Sequence, residues 1–283
     1  MKPIKSVKLL PNIITAANLF CGFLSIIVVS RAMSLATSSE NYLLEVTELL
    51  NHACNYILLA MVFDALDGKV ARMVNGTSDF GAQLDSLCDA VSFCVAPAFL
   101  MYGTCRLLPS LSEWYPLGAE VYSTYFKENY LFISAAIYVL CGVMRLARFN
   151  VETTEAEEDH RYFKGLPTPA AAAVIVSTVI LMFNPMLAEF TSQCGPYFLY
   201  ILPIMSLATA LLMVSSVPYV HVVGLFGRYK ASFEVLALVV IVAACSYINF
   251  YITMFVAVQL YLLTPVVTIK RKLQNIKEDV LEK

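Results

Sequence analysis

Apolar residues run along this chain in long stretches, broken by short polar segments. The stretches lie near 13–33, 52–74, 82–103, 129–149, 166–187, 197–217, 232–249 and 251–268. A helix that crosses a hydrocarbon core of ~30 Å needs about 20 such residues. The pattern predicts an all-α, polytopic membrane helix bundle of about eight transmembrane helices. The last two stretches are short and meet around Tyr247-Ile248-Asn249, a tight hairpin or a less regular insertion. No internal repeat and no low-complexity linker divides the chain. The expected division is a six-span core over 1–217, then two further helices with a basic C-terminal tail over 218–283.

Composition supports a lipid-facing molecule. Hydrophobic residues make up 59% and charged residues 14% of the 283, against about 45–50% and 25% in soluble domains. That excludes an ordinary cytosolic enzyme, a disordered chain and a small disulfide scaffold. A net charge of −2 gives no footprint for nucleic acid. The amino end, MKPIKSVKLL, is basic, and no small-residue cleavage site follows it, so it reads as the flank of an uncleaved first helix. The eight cysteines form no CxxC pair and mostly sit in apolar runs. Cys105 and Cys194 fall near span ends, where they can pair only if both face an oxidising side.

Basic residues set the orientation. With the N-terminus in the cytoplasm, sixteen of the nineteen Lys and Arg fall inside, leaving Arg31, Arg106 and Lys127 outside. Such a split predicts an even number of spans with both termini cytoplasmic.

Aspartate is where the pattern breaks. Five of the seven, Asp64, Asp67, Asp79, Asp85 and Asp89, lie between residues 64 and 89, in or beside two apolar spans. A carboxylate at membrane depth costs about 2.5–3.5 kcal/mol, and several together repel unless something neutralises them. Asp64, Asp67, Gly68, Ala71 and Arg72 share one helix face, and Gly81, Asp85 and Asp89 recur at intervals of four. The turn Asn75-Gly76-Thr77-Ser78 makes the two helices antiparallel neighbours, so four carboxylates can converge near their cytoplasmic ends. Oxygen ligands without His or Cys favour Mg²⁺, Mn²⁺ or Ca²⁺. Two such ions suit in-line phosphoryl transfer. The small residues leave room for a ligand, and Arg72 is placed to hold a phosphate.

Written as a string, the segment is Asp64-x-x-Asp67-Gly68-x-x-Ala71-Arg72, eight residues, then Gly81-x-x-x-Asp85-x-x-x-Asp89. It resembles the signature of the CDP-alcohol phosphotransferase family at all eight fixed positions, and the resemblance extends over the first six spans. It implies a CDP-linked lipid donor, attack by an alcohol hydroxyl and release of CMP. It also implies Asp64, Asp67 and Asp85 as ligands of two divalent ions, Mg²⁺ or Mn²⁺, with Asp89 touching the second and acting as general base. Gly68, Ala71 and Gly81 then lie against the nucleotide, Arg72 contacts phosphate, and a homodimer is expected.

Other segments narrow the acceptor. Asn12 and Thr15 open the first span, followed by Asn18 and Gly22, and can present polar groups to a nucleotide. Arg145-Leu146-Ala147-Arg148-Phe149-Asn150 and Phe163-Lys164-Gly165-Leu166-Pro167-Thr168-Pro169 resemble segments of the serine-using branch of the family, the bacterial and archaeal phosphatidylserine synthases. The resemblance implies CDP-diacylglycerol and L-serine as substrates. Serine carries a carboxylate and an ammonium. Arg145 and Arg148, three apart, are the cations on the right side, and Asn150 is a candidate for the ammonium. Arg161 and Lys164 are further candidates. Two other readings remain open on sequence: a different acceptor (glycerol phosphate, inositol phosphate or choline) and a cation transporter. The acidic loop 150–165 reads as solvated.

Overall fold

The computed structural model describes residues 9–35, 43–73, 79–108, 128–155, 162–184, 188–220 and 249–281. The helices are α1 (Leu9–Leu35), α2 (Leu43–Met73), α3 (Asp79–Asp89), α4 (Ala96–Leu107), α5 (Glu128–Glu155), α6 (Thr168–Met182), α7 (Ala188–Val214) and α8 (Phe250–Leu281). A π-helical turn, Ala90–Val95, joins α3 to α4 in one continuous rod. Two three-residue strands, β1 (Tyr162–Lys164) and β2 (Pro218–Val220), complete the described elements.

Among the described residues, four helical stretches are long and apolar enough to cross a membrane: Leu10–Leu35, Leu44–Val70, Phe80–Leu107 and Asn129–Val151. They answer the first four expected spans. The fifth, expected over 166–187, is the shorter α6, whose 15 residues rise only about 22 Å. Nearly every side chain from Ala171 to Asn184 is buried. A helix that is apolar all round is a core helix, and α6 is packed by α2, α4, α7 and α8. The sixth span lies in α7 and the eighth in α8. The seventh, 232–249, falls almost wholly outside the described residues. The outer helices turn large apolar side chains outward, among them Phe20 and Phe23 on α1, Val62 on α2, Phe132 and Leu140 on α5, and Leu211 on α7. Lipid is the solvent that makes such a surface stable.

Backbone groups freed by proline are re-satisfied locally. Pro97 has no N–H to give the Phe93 carbonyl four residues back, and the Tyr138 hydroxyl on α5 donates to that carbonyl instead (3.3 Å). Pro265 inside α8 likewise leaves the Tyr261 carbonyl without its helical donor, and the Thr264 hydroxyl supplies one at 2.7 Å. Asn249 opens α8: its side-chain oxygen accepts from the Ile252 N–H at 3.1 Å, the bond an N-cap makes. Asn249 thus starts a helix, while Tyr247 and Ile248, the rest of the expected hairpin, lie outside the described residues.

The strands form a clasp that the helical pattern did not announce. β1 pairs antiparallel with β2, Phe163 opposite Tyr219. Gly165 follows at φ +83, a conformation that side-chain-bearing residues rarely adopt. Its N–H donates to the Val217 carbonyl (2.9 Å), and the Leu166 N–H donates to the Leu212 carbonyl (3.0 Å). A Cβ at Gly165 would run into the Met213 and Ser215 carbonyls. This glycine therefore lets the segment between α5 and α6 lie against the C-terminal end of α7.

Candidate metal centre and active site

Two helix ends build the site. Asp64 and Asp67 sit one turn apart near the end of α2, and Asp85 and Asp89 near the end of α3. Asp64, Asp67 and Asp85 each bring one carboxylate oxygen to within 4.8 Å of the others. Asp67 and Asp89 are buried, while Asp64 and Asp85 are half-buried. Asp89 completes the group, within electrostatic range of the other three. The convergence expected from the spacing is thus present, with three carboxylates as a tight trio and Asp89 beside it.

Among the described residues, no protein cation neutralises these carboxylates at contact distance. Among the described residues none of these four aspartates makes an ion pair within 4.0 Å; the pair that is present, Arg31 with Glu45 at 3.8 Å, lies elsewhere. Arg145 lies within electrostatic range of Asp64 and Asp89. Asp67 Oδ2 and Asp85 Oδ1 are buried without a hydrogen-bond partner among the described residues. Buried anionic oxygens demand a partner. An all-oxygen trio with two orphaned lone-pair sites fits a hard divalent cation. Next to it, a Cβ placed on Gly68 meets nothing within 4 Å, so an open face adjoins the trio.

The first helix supports this centre. Thr15 is buried beside Asp67, and its hydroxyl donates to the Pro11 carbonyl (3.0 Å). Asn12 Nδ2 is buried without a partner among the described residues. Asn18 is fully buried and its Nδ2 donates to Asp89 Oδ1 at 3.1 Å. Close approach makes this possible. A Cβ on Gly22 would lie 2.6 Å from the Ser92 Cα, and the Ser92 hydroxyl donates to the Asn18 carbonyl at 3.0 Å. Ser92 belongs to the π turn directly after Asp89, so the turn, α1 and the aspartate are locked together. π turns of this kind often mark functional positions.

The arginines separate. Arg145 is half-buried, donates to the Thr168 hydroxyl at 3.2 Å and stands 5.4 Å from the Phe149 ring centroid. Arg148 instead reaches the last turn of α7, donating to the Val214 carbonyl at 3.4 Å, where a cation also suits the helix dipole. Asn150 donates to the Ser86 hydroxyl at 2.9 Å, tying α5 to the helix that carries Asp85. Gly81 is half-buried at the start of α3. The side chains of Ala71, Arg72, Arg161 and Lys164 lie outside the described residues. Cys105 is a buried free thiol, and the side chain of Cys194, its candidate partner, also lies outside them.

Two tyrosines beyond the expected core reach this region. Tyr261 on α8 lies within electrostatic range of Arg145. Its ring stands 5.7 Å from that of Tyr219 on β2. Tyr219 is fully buried, its hydroxyl has no partner among the described residues, and burial pushes its phenol pKa up. The sequence carried no signal for either, because nothing in an apolar run says which tyrosine turns inward.

The model of the CDP-alcohol phosphatidyltransferase family matches residues 8–214. The chain belongs to that family. It is similar to the CDP-diacylglycerol–serine O-phosphatidyltransferase of Helicobacter pylori strain J99, 34% identical over 63% of this chain and 60% of that protein. The protein of the same name from Methanocaldococcus jannaschii is 34% identical over 60% of this chain and 65% of its own length. The archaetidylserine synthase of Methanothermobacter thermautotrophicus is 35% identical over 79% of this chain and 75% of its own length. The chain thus spans under two thirds of the first two relatives. Family membership and four membrane-length apolar helices make it an integral membrane protein. The family segment contains α1 to α7, while β2 and α8, with Tyr219 and Tyr261, lie beyond it.

Proposed function

We propose that this protein transfers the phosphatidyl group of CDP-diacylglycerol to the hydroxyl of L-serine and releases CMP, as a phosphatidylserine synthase. The observation that carries the reading is the carboxylate trio with its two orphaned oxygens, set beside a half-buried arginine. The names of the relatives support serine as the acceptor. In this reading Asp64, Asp67 and Asp85 hold divalent ions, two Mg²⁺ or Mn²⁺, with Asp89 touching the second. Bound there, the ions neutralise charge on the diphosphate and on departing CMP.

The chain's own residues do the rest. Asp89 accepts the proton of the serine hydroxyl, a weak nucleophile that needs a base. Its buried, Asn18-held position fixes which oxygen faces the substrate. Gly68, Ala71 and Gly81 let the nucleotide lie close to backbone, Arg72 meets its phosphate, and Asn12 and Thr15 line the same side. Arg145 takes the serine carboxylate. Arg148 and Asn150 border that subsite while holding α7 and Ser86. Both termini face the cytoplasm, and the working unit is a homodimer with the six-span core and a two-helix C-terminal extension.

The test is CMP release by the purified protein with CDP-diacylglycerol and either labelled serine or glycerol phosphate. Serine-dependent release with labelled phosphatidylserine as product supports the reading. Consumption of glycerol phosphate and not serine refutes it. Ion flux through vesicles without CMP release would point to transport.

A further inference from the structure

Asn18 has one end of its amide accounted for and the other not. Nδ2 donates to Asp89 Oδ1, whereas Oδ1 is buried with no hydrogen-bond partner among the described residues. The residue is fully buried, and its backbone is pinned by Ser92 and by the contact that Gly22 allows. The side chain therefore cannot swing out to find water. Turning the amide over would place its oxygen against the Asp89 carboxylate, which repels it. An amide oxygen held in this way lacks a donor, and a buried acceptor without one penalises the fold.

The surroundings say what kind of donor fits. With ions on the trio, the Asp89 carboxylate still lies beside the Asn18 amide, and next to it a cationic N–H donor is favoured over a neutral one. Asp89 has Asn18 on the α1 side and the Arg145 guanidinium within electrostatic range on the α5 side. An acceptor bearing a hydroxyl, an ammonium and a carboxylate meets a matching group for each.

We propose that Asn18 is a specificity-determining residue of the acceptor subsite: its Oδ1 accepts from the acceptor's ammonium while its Nδ2 holds Asp89 for proton abstraction. This rests on the serine reading above and deepens it. In the step itself, the acceptor oxygen forms a bond to phosphorus as the bond to the CMP oxygen breaks. The hydroxyl proton passes to Asp89, and CMP departs with the electron pair. Asn18 engages Oδ1 of Asp89, which assigns the proton to Oδ2.

The experiment measures CMP release by the purified full chain with CDP-diacylglycerol and Mn²⁺, using L-serine and 3-hydroxypropionate, which keeps the hydroxyl and carboxylate and lacks the ammonium. The wild type prefers serine. Asn18→Leu removes both ends of the amide and shrinks that preference by about 10- to 100-fold, the value of one hydrogen bond to a charged group. Asn18→Asp is nearly isosteric and keeps an acceptor oxygen while losing the donor to Asp89. It lowers kcat but leaves KM for serine within about threefold, a split that general destabilisation would not give. An unchanged serine preference in Asn18→Leu means that the oxygen is satisfied by packing or water, and overturns the proposal alone. A KM for Asn18→Asp raised as far as in Asn18→Leu does the same. A wild type that does not use serine overturns this inference and the serine reading together.

Discussion

At the scale of single residues, the site holds charge that no ion pair among the described residues compensates. Asp64, Asp67 and Asp85 bring oxygens within 4.8 Å of one another, and two of those side chains carry orphaned oxygens. Neutralising one should relieve repulsion in the metal-free protein. Asp85→Asn is expected to raise the metal-free unfolding midpoint by about 2–4 °C, the equivalent of roughly 1 kcal/mol. It should also abolish the further rise that divalent ions give the wild type. Thermal unfolding with EDTA and with Mg²⁺ checks both; an unchanged metal-induced rise would remove Asp85 from the ligand set. Asp89→Asn is expected to lower kcat by about 10²–10⁴-fold, the usual contribution of a general base, while metal-induced stabilisation persists. Much of this was legible in the sequence, because acidic residues inside apolar runs have no cheap structural explanation and helical spacing alone puts them on facing sides. Asn18 was legible only as a polar residue in the first span. Its bond to Asp89 joins residues 71 apart, and no local pattern encodes such a distance. Arg145 and Arg148 look equivalent at a spacing of three, yet tertiary contacts send one toward the aspartates and the other to the end of α7.

Elements add the rigidity that the residues need. The π turn after Asp89 follows from Pro97 downstream, which cannot close the regular helical ladder, and from three neighbours that fill the gap. Gly22 admits Ser92, Tyr138 satisfies Phe93, and Gly142 gives way to Cys94. Gly22→Ala forces a methyl group into the Ser92 backbone and is expected to cost about 1–3 kcal/mol. It should reduce kcat as well, by shifting Asn18 and Asp89. Unfolding midpoints and serine turnover measured on the same preparation check this; a stable variant with full activity would show that the α1 contact does not position the base. Helix identity came readily from apolar runs, and span boundaries did not. The expected 166–187 span shortened to α6 because its ends are fixed by Pro167 and by the turn at Phe183. The clasp escaped notice because three-residue strands leave no periodicity, and only Gly165 hinted at a special backbone position.

For the whole molecule, a largely buried α6 at the centre and lipid-facing helices around it place the acidic site at one end of the bundle. On the proposed topology that end faces the cytoplasm, as the distribution of Lys and Arg predicts. Reporter fusions at both termini should therefore read as cytoplasmic, and a reporter inserted in the 109–127 segment should read as external. A terminus reporting from outside would break the assignment. α8 lies beyond the family segment yet packs on α6 and β2 and brings Tyr261 toward Arg145. Tyr261→Phe removes a hydroxyl within electrostatic range of Arg145 and is expected to raise KM for serine several-fold, with little change in KM for the CDP-lipid. Steady-state kinetics on both substrates checks it, and equal effects on the two would place Tyr261 outside the acceptor side. The contribution of α8 was invisible in the sequence, since the run at 251–268 looks like any other span.

The most direct test of the account is CMP release from CDP-diacylglycerol by the purified protein, measured with serine present or absent and with Mg²⁺ or Mn²⁺ added or chelated. The account predicts release, with labelled phosphatidylserine formed in equal amount, only when serine and a divalent ion are both present. Serine-dependent release that continues undiminished after chelation would contradict it.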